Sequence, residues 1–153
     1  MSNPVWKRLS VMLFLWAVMT VAALPAAGAA EGEKVVSVEE AIADNSGQAT
    51  VEGYIVGTSS STSALGEGRF ESPFSVRTNL LLADDPKERE MDRLLPVQLP
   101  NHDVRKHLNL DDHPEHLGKK VRVSGELSPY FAVPGLRSAS SYEWAESDPE
   151  EVV

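Results

Sequence analysis

The run Gln48-Ala49-Thr50-Val51-Glu52-Gly53-Tyr54-Ile55-Val56-Gly57-Thr58 sets the fold class. It is rich in β-branched and aromatic residues and is fenced by Gly47 on one side and Ser59-Ser60-Ser61 on the other, the composition of a long strand. Gly53 in its middle marks a bulge or a close backbone approach, the device by which a strand bends around a barrel.

Working outward, Ser37-Val38-Glu39-Glu40 has capping-box spacing and opens a short helix with Val38, Ala41 and Ile42 on its apolar face. Past the long strand, residues 59–73 are dominated by serine, glycine and scattered charge and read as a mobile loop. Asn79-Leu80-Leu81-Leu82-Ala83 is cut to strand length by Asp84-Asp85-Pro86. Pro96-Val97-Gln98-Leu99-Pro100 is a brief strand whose two prolines predict an edge position. Asn101 or Asp103 is expected to cap a helix running to about Leu108.

Lys120-Val121-Arg122-Val123-Ser124-Gly125-Glu126-Leu127 alternates cleanly, with Val121 and Val123 on one face and Arg122 and Ser124 on the other. A last strand over 137–144 puts Tyr142 and Trp144 on a common face. Four or five strands result, with a helix between the third and fourth, an order that fits a mainly β fold: a small, partly open five-stranded barrel of the OB type. Val51, Ile55, Leu80, Leu82, Val97, Val121 and Val123 are the expected core.

The first residues are of another kind. Lys7 and Arg8 precede an uncharged run over 9–24, then Pro25 and the small residues Ala26, Ala27, Gly28, Ala29 and Ala30, the order of a secretory signal peptide over 1–29. Ala27 and Ala29 fit the small-residue cleavage pattern; a retained membrane anchor is the alternative. Cleavage leaves no membrane segment and predicts a secreted chain, or a periplasmic one where the source has an outer membrane. Losing Lys7 and Arg8 takes the formal net charge from −9 to −11. Such acidity opposes general adhesion to phosphate polymers, so a nucleic-acid role requires a local basic patch. With no cysteine in the chain, neither lipoprotein acylation nor a disulfide is open to it, and stability must come from the core. Residues 145–153 are expected to form an acidic, disordered tail.

Several phrases, taken in order, resemble a known module: Ser37-Val38-Glu39-Glu40-Ala41-Ile42, Val51-Glu52-Gly53-Tyr54-Ile55-Val56-Gly57, Thr78-Asn79-Leu80-Leu81-Leu82-Ala83-Asp84, Leu95-Pro96-Val97-Gln98-Leu99-Pro100, and the stretches 117–125 and 130–138. Together they are similar to the N-terminal OB-fold-like module of YhcR-type secreted bacterial endonucleases, over residues 36–144. In that family the module precedes nuclease or phosphoesterase domains and is thought to bind rather than cut. The resemblance therefore implies a stand-alone accessory module that is not an enzyme.

The residues point the same way. There is no Gly-x-Ser-x-Gly elbow and no Gly-Lys-Ser/Thr phosphate cradle, and no cofactor motif stands out. His102, His107, His113 and His116 fall close together, interleaved with Asp103, Asp111, Asp112 and Glu115. The resembled family has no histidines at this place, and the cluster reads as a solvated polar turn without a metal; His113 and His116 could converge only on a turn, because Pro114 interrupts helical spacing. Residues 117–138 carry Lys119, Lys120, Arg122 and Arg137 against Glu126, interleaved with Tyr130 and Phe131. Base stacking beside a basic groove is how OB-folds hold single strands. Tyr54, Lys120, Arg122, Tyr130 and Arg137 are thus the candidate ligand surface, for single-stranded nucleic acid or another anionic polymer. The competing reading makes Phe131 and Leu136 core and the lysines a solvated face. The chain then serves as a contact module for an extracellular protein or the cell envelope.

Overall fold

A computed structural model describes residues 34–60 and 64–145. The signal-peptide segment 1–29 and residues 146–153 of the expected tail lie outside the described residues.

The described elements are strand β1 (Val35–Val36), helix α1 (Val38–Ala43), β2 (Gly47–Ser59), β3 (Gly68–Arg69), β4 (Asn79–Ala83), β5 (Leu95–Gln98), α2 (Asp103–Leu108), β6 (Lys120–Leu127) and β7 (Leu136–Trp144), with 3-10 turns at Met91–Arg93 and Pro114–His116. Five strands close a ring, because β2 pairs with both β4 and β6 while the path β4-β5-β7-β6 joins the other ends. The β5–β7 pairing is parallel and the other four are antiparallel. With α2 between the third and fourth ring strands, this is the mainly β, partly closed OB-type barrel read from the sequence.

The local signals act as their chemistry dictates. The Ser37 hydroxyl accepts from the Glu40 amide at 3.1 Å and Glu40 Oε2 accepts from the Ser37 amide at 2.9 Å, so the capping box is complete. Asp84 reinforces it by accepting from the amides of Val38 and Glu39. All seven expected core residues are 0% exposed and share one cluster. Val56, Leu81, Ala83 and Leu94 form a second, smaller cluster under Tyr54, Leu65, Phe70 and Met91. β4 is buried along its whole length, which is why Leu80-Leu81-Leu82 shows no alternation.

Four expectations need correction. β5 is interior rather than an edge, lying between β4 and β7; its contact with β7 is a single register pair, Val97↔Leu136, so the amide that Pro96 lacks removes little from the ladder. Of the two roles open to Gly53 the close approach holds, since a Cβ there would lie 2.8 Å from Val38 Cγ2, while the bulge of β2 falls between Ile55 and Gly57. The expected loop 59–73 contains β3, whose Gly68 and Arg69 pair with Ser59 and Thr58. Neither Asn101 nor Asp103 caps α2; His102 does, its Nδ1 accepting from the Val104 amide at 3.3 Å. Ala145, placed in the tail by the sequence reading, donates its amide to the Lys120 carbonyl at 3.1 Å.

Candidate ligand surface

The five candidate residues do not share one site. Tyr54, Lys120 and Arg122 come together where β2 and β6 pair, through the registers Tyr54↔Lys120 and Glu52↔Arg122. Arg122 is also opposite Glu143 on β7. A carboxylate therefore faces it from each side: Nε donates to Glu52 Oε2 at 2.6 Å and Nη1 to Glu143 Oε1 at 3.2 Å. Lys120 Nζ lies 3.3 Å from Glu52 Oε1 and 5.4 Å from the Tyr54 ring centroid. Two cations and two carboxylates leave no net charge on this patch.

The Arg122 guanidinium holds the Glu52 carboxyl below its usual range, with Lys120 adding to the effect and burial opposing it. A depressed folded pKa contributes stability that is complete above the unfolded value of about 4.3 and is lost as pH falls through the folded value. Glu52→Gln should therefore cost about 1 kcal/mol at neutral pH, the scale of a partly exposed pair. Denaturant unfolding of the two proteins should converge as the pH drops well below 4.3. A gap that persists in strong acid would mean that Glu52 acts through packing and not through its charge.

Tyr130 and Arg137 belong to the far end of β6. Arg137 pairs with Glu126, four residues along that strand from Arg122 and six from Lys120, so it is separated from them by roughly 13–20 Å of extended chain at about 3.3 Å per residue. There the β6–β7 connection, residues 128–135, makes a tight turn in which the Tyr130 amide donates to the Val133 carbonyl at 2.9 Å and the Val133 amide returns a bond at 3.3 Å. Both central residues lie in the left-handed region, Phe131 at φ 55° and Ala132 at φ 60°. Non-glycine residues are held there at a cost on the order of 1 kcal/mol each, and such strain gathers at functional loops.

The scaffold around the turn explains how the strain is held. Asn45, just past α1, clamps the Gly135 peptide: its Nδ2 donates to the Gly135 carbonyl at 2.9 Å and its Oδ1 accepts from the Gly135 amide at 3.3 Å. The Phe131 carbonyl accepts from the Leu65 amide. The Tyr130 and Phe131 rings stack at 3.9 Å. Burial raises the Tyr130 phenol above its usual pKa while the charges of Arg137 and Arg105 pull it down. Arg137 is exposed and, among the described residues, has no ion pair. Phe131 is 8% exposed, so the aromatic surface here is shared between core and solvent. Phe131 and Leu136 are buried, as the competing reading of this segment had them, whereas Arg105 was missed because nothing local in the sequence shows that α2 faces the β6–β7 connection.

The histidines divide by role. His102 caps α2, and the His107 ring lies 6.3 Å from that of Tyr142. Asp111 and Asp112 pair with Arg77 at 2.7 and 2.6 Å. The 3-10 turn at Pro114–His116 brings His113, Glu115 and His116 together, with one donor atom from each within 4.8 Å of the others. Burial holds His116 below the usual imidazole range, against the pull of Glu115.

The chain is 37% identical over 133 residues to "Endonuclease YhcR" of Bacillus subtilis (strain 168), a match covering 87% of this chain and 10% of that protein. Residues 36–145 match the family described as Domain of unknown function (DUF6359), a span that takes in the entire barrel, and on that match the chain belongs to the DUF6359 family.

Proposed function

We propose that this chain is an exported, non-catalytic OB-fold binding module, and that its 128–135 connection and the start of β7 hold single-stranded nucleic acid against Tyr130 and Arg137. One observation carries the reading: the loop between the last two ring strands, a ligand-binding loop of OB-folds, is strained, clamped by Asn45, and carries the half-buried Tyr130 backed by the buried Phe131 ring, with the exposed Arg137 following it on β7. The outward side of β4, the other surface OB-folds use, is covered by Leu65, Phe70 and Met91. Lys120 and Arg122 are left out of the ligand surface because Glu52 and Glu143 neutralise them. The signal-like order of residues 7–30 supports export. That the match covers a tenth of an endonuclease supports an accessory role rather than cleavage.

Fluorescence anisotropy with a labelled single-stranded oligonucleotide at two salt concentrations tests it. Affinity should be micromolar or weaker, as for nonspecific contacts, and fall with salt by a log–log slope of about −0.7 per phosphate contact. Tyr130→Ala should weaken binding by about 1–3 kcal/mol and leave the slope alone. Arg137→Ala should flatten the slope by about 0.7, whereas Arg122→Ala should change neither. No binding at low salt would sink the nucleic-acid reading. The second reading, contact with an extracellular protein or the envelope, would then stand on Trp144, which is 40% exposed beside Tyr142.

A further inference from the structure

We propose that His113, Glu115 and His116 form a binding site for one divalent transition-metal ion of the zinc class. The site is separate from the ligand loop and does not depend on how that loop is read.

The geometry of His113 carries the inference. Its Nε2 lies 3.0 Å from the Lys106 carbonyl oxygen. A carbonyl only accepts, so Nε2 bears the proton and a neutral His113 directs the Nδ1 lone pair outward. That lone pair faces Glu115 Oε1 at 3.2 Å. Two acceptors at hydrogen-bonding distance need either a proton or a metal ion between them. A histidine that gives its distal N–H to a backbone carbonyl and its other nitrogen to the ion is also the usual arrangement of a metal ligand. His116 Nε2 lies 3.8 Å from the same carboxylate oxygen.

His116 supplies the third donor through Nε2, the nitrogen that faces Glu115. Its Nδ1 is buried and has no hydrogen-bond partner among the described residues. The ring is held by stacking on His113 at 4.9 Å and by the edge-on contact with Trp144 at 4.7 Å. Buried polar nitrogens are rarely left unpaired. The packing leaves Nε2 facing the Glu115 carboxylate, where it is available to an ion. Bond lengths of 2.0–2.1 Å place tetrahedral donors about 3.3 Å apart, so coordination requires the widest separation, 4.8 Å, to close by about 1.5 Å.

The donor set selects the ion. Two imidazole nitrogens and one carboxylate suit Zn2+, Co2+, Ni2+ or Cu2+, while Ca2+ and Mg2+ favour oxygen throughout. Three protein donors leave a fourth position for water or an external ligand. The competing explanation is a doubly protonated His113 paired with Glu115, in which a proton takes the place of the metal.

The untagged full chain, titrated with Co2+ and followed by visible absorption, separates the two. One Co2+ should bind per chain and be displaced by Zn2+. Glu115→Gln and His113→Gln should each weaken binding at least tenfold, which is the lower end of what losing an outer-sphere partner alone produces. Their side chains are 59% and 33% exposed, so both variants should keep the far-ultraviolet circular dichroism of the parent. Cobalt should also quench the fluorescence of Trp144, a signal absent in Trp144→Phe, while Asp111→Asn and His107→Ala should bind as the parent does. Absence of stoichiometric binding would leave only the imidazolium–carboxylate pair, and binding indifferent to Glu115→Gln and His113→Gln would place the ion elsewhere. Either result overturns the proposal.

Discussion

Leu82→Ala is expected to cost about 2–5 kcal/mol of folding stability, the range for emptying a fully buried leucine site. Leu82 is 0% exposed and sits mid-sheet, in register with Ile55 on β2 and Leu95 on β5. Neighbours fixed in two ladders cannot collapse into the space, so the cavity term adds to the lost transfer energy. A domain of this size has only about 5–15 kcal/mol in reserve, and without cysteines nothing restricts its unfolded chain. Urea unfolding should show a lower midpoint with an unchanged slope. A loss below about 0.5 kcal/mol, typical of surface substitutions, would show that Leu82 is not buried between β2 and β5 as described.

Gly57→Ala is expected to cost about 3 kcal/mol, the upper end of the range for overpacking. A Cβ at Gly57 would lie 2.2 Å from the Arg69 carbonyl oxygen and 3.1 Å from Phe70 Cδ1. The first of these atoms is backbone and cannot swing aside. Relief requires the 68–70 segment to lift, which breaks the pairing of β3 with Thr58 and Ser59 and uncovers the small cluster under Phe70. Amide exchange should therefore rise around residues 57–59 and 68–70 before it rises in β6. Wild-type stability in Gly57→Ala would mean that β3 does not cross over β2 as described.

What the sequence made legible was whatever a single strand or helix writes into its own spacing. The alternation of Val121 and Val123, the β-branched density of 48–58 and the box at Ser37 and Glu40 are local statements, and each holds in the fold. Register is a relation between segments, and that is where the site was misread. Arg122 alternates outward as expected, but nothing near it reveals that Glu52 and Glu143 will stand opposite it. Phe131 and Ala132 take left-handed conformations without the glycine or asparagine that ordinarily advertises them. His102 as a helix cap and Pro96 inside a closed ring are departures of the same type, since tertiary context overrode the residue's usual preference.

The single register pair between β5 and β7 has a kinetic consequence. The ring is held by ladders of three or more register pairs on four sides and by Val97↔Leu136 on the fifth, so local opening has its lowest free energy at that seam. Leu136 is continuous with the turn that carries Tyr130, and the Ser138 amide is tied back to β5 only by the Gln98 side chain at 3.0 Å. Excursions of the seam on the microsecond-to-millisecond scale would move the aromatic pair as a unit. Occupancy of the loop and closure of the barrel then become linked equilibria, in which a ligand that favours the closed ring slows exchange of the amides around Leu136 without touching them.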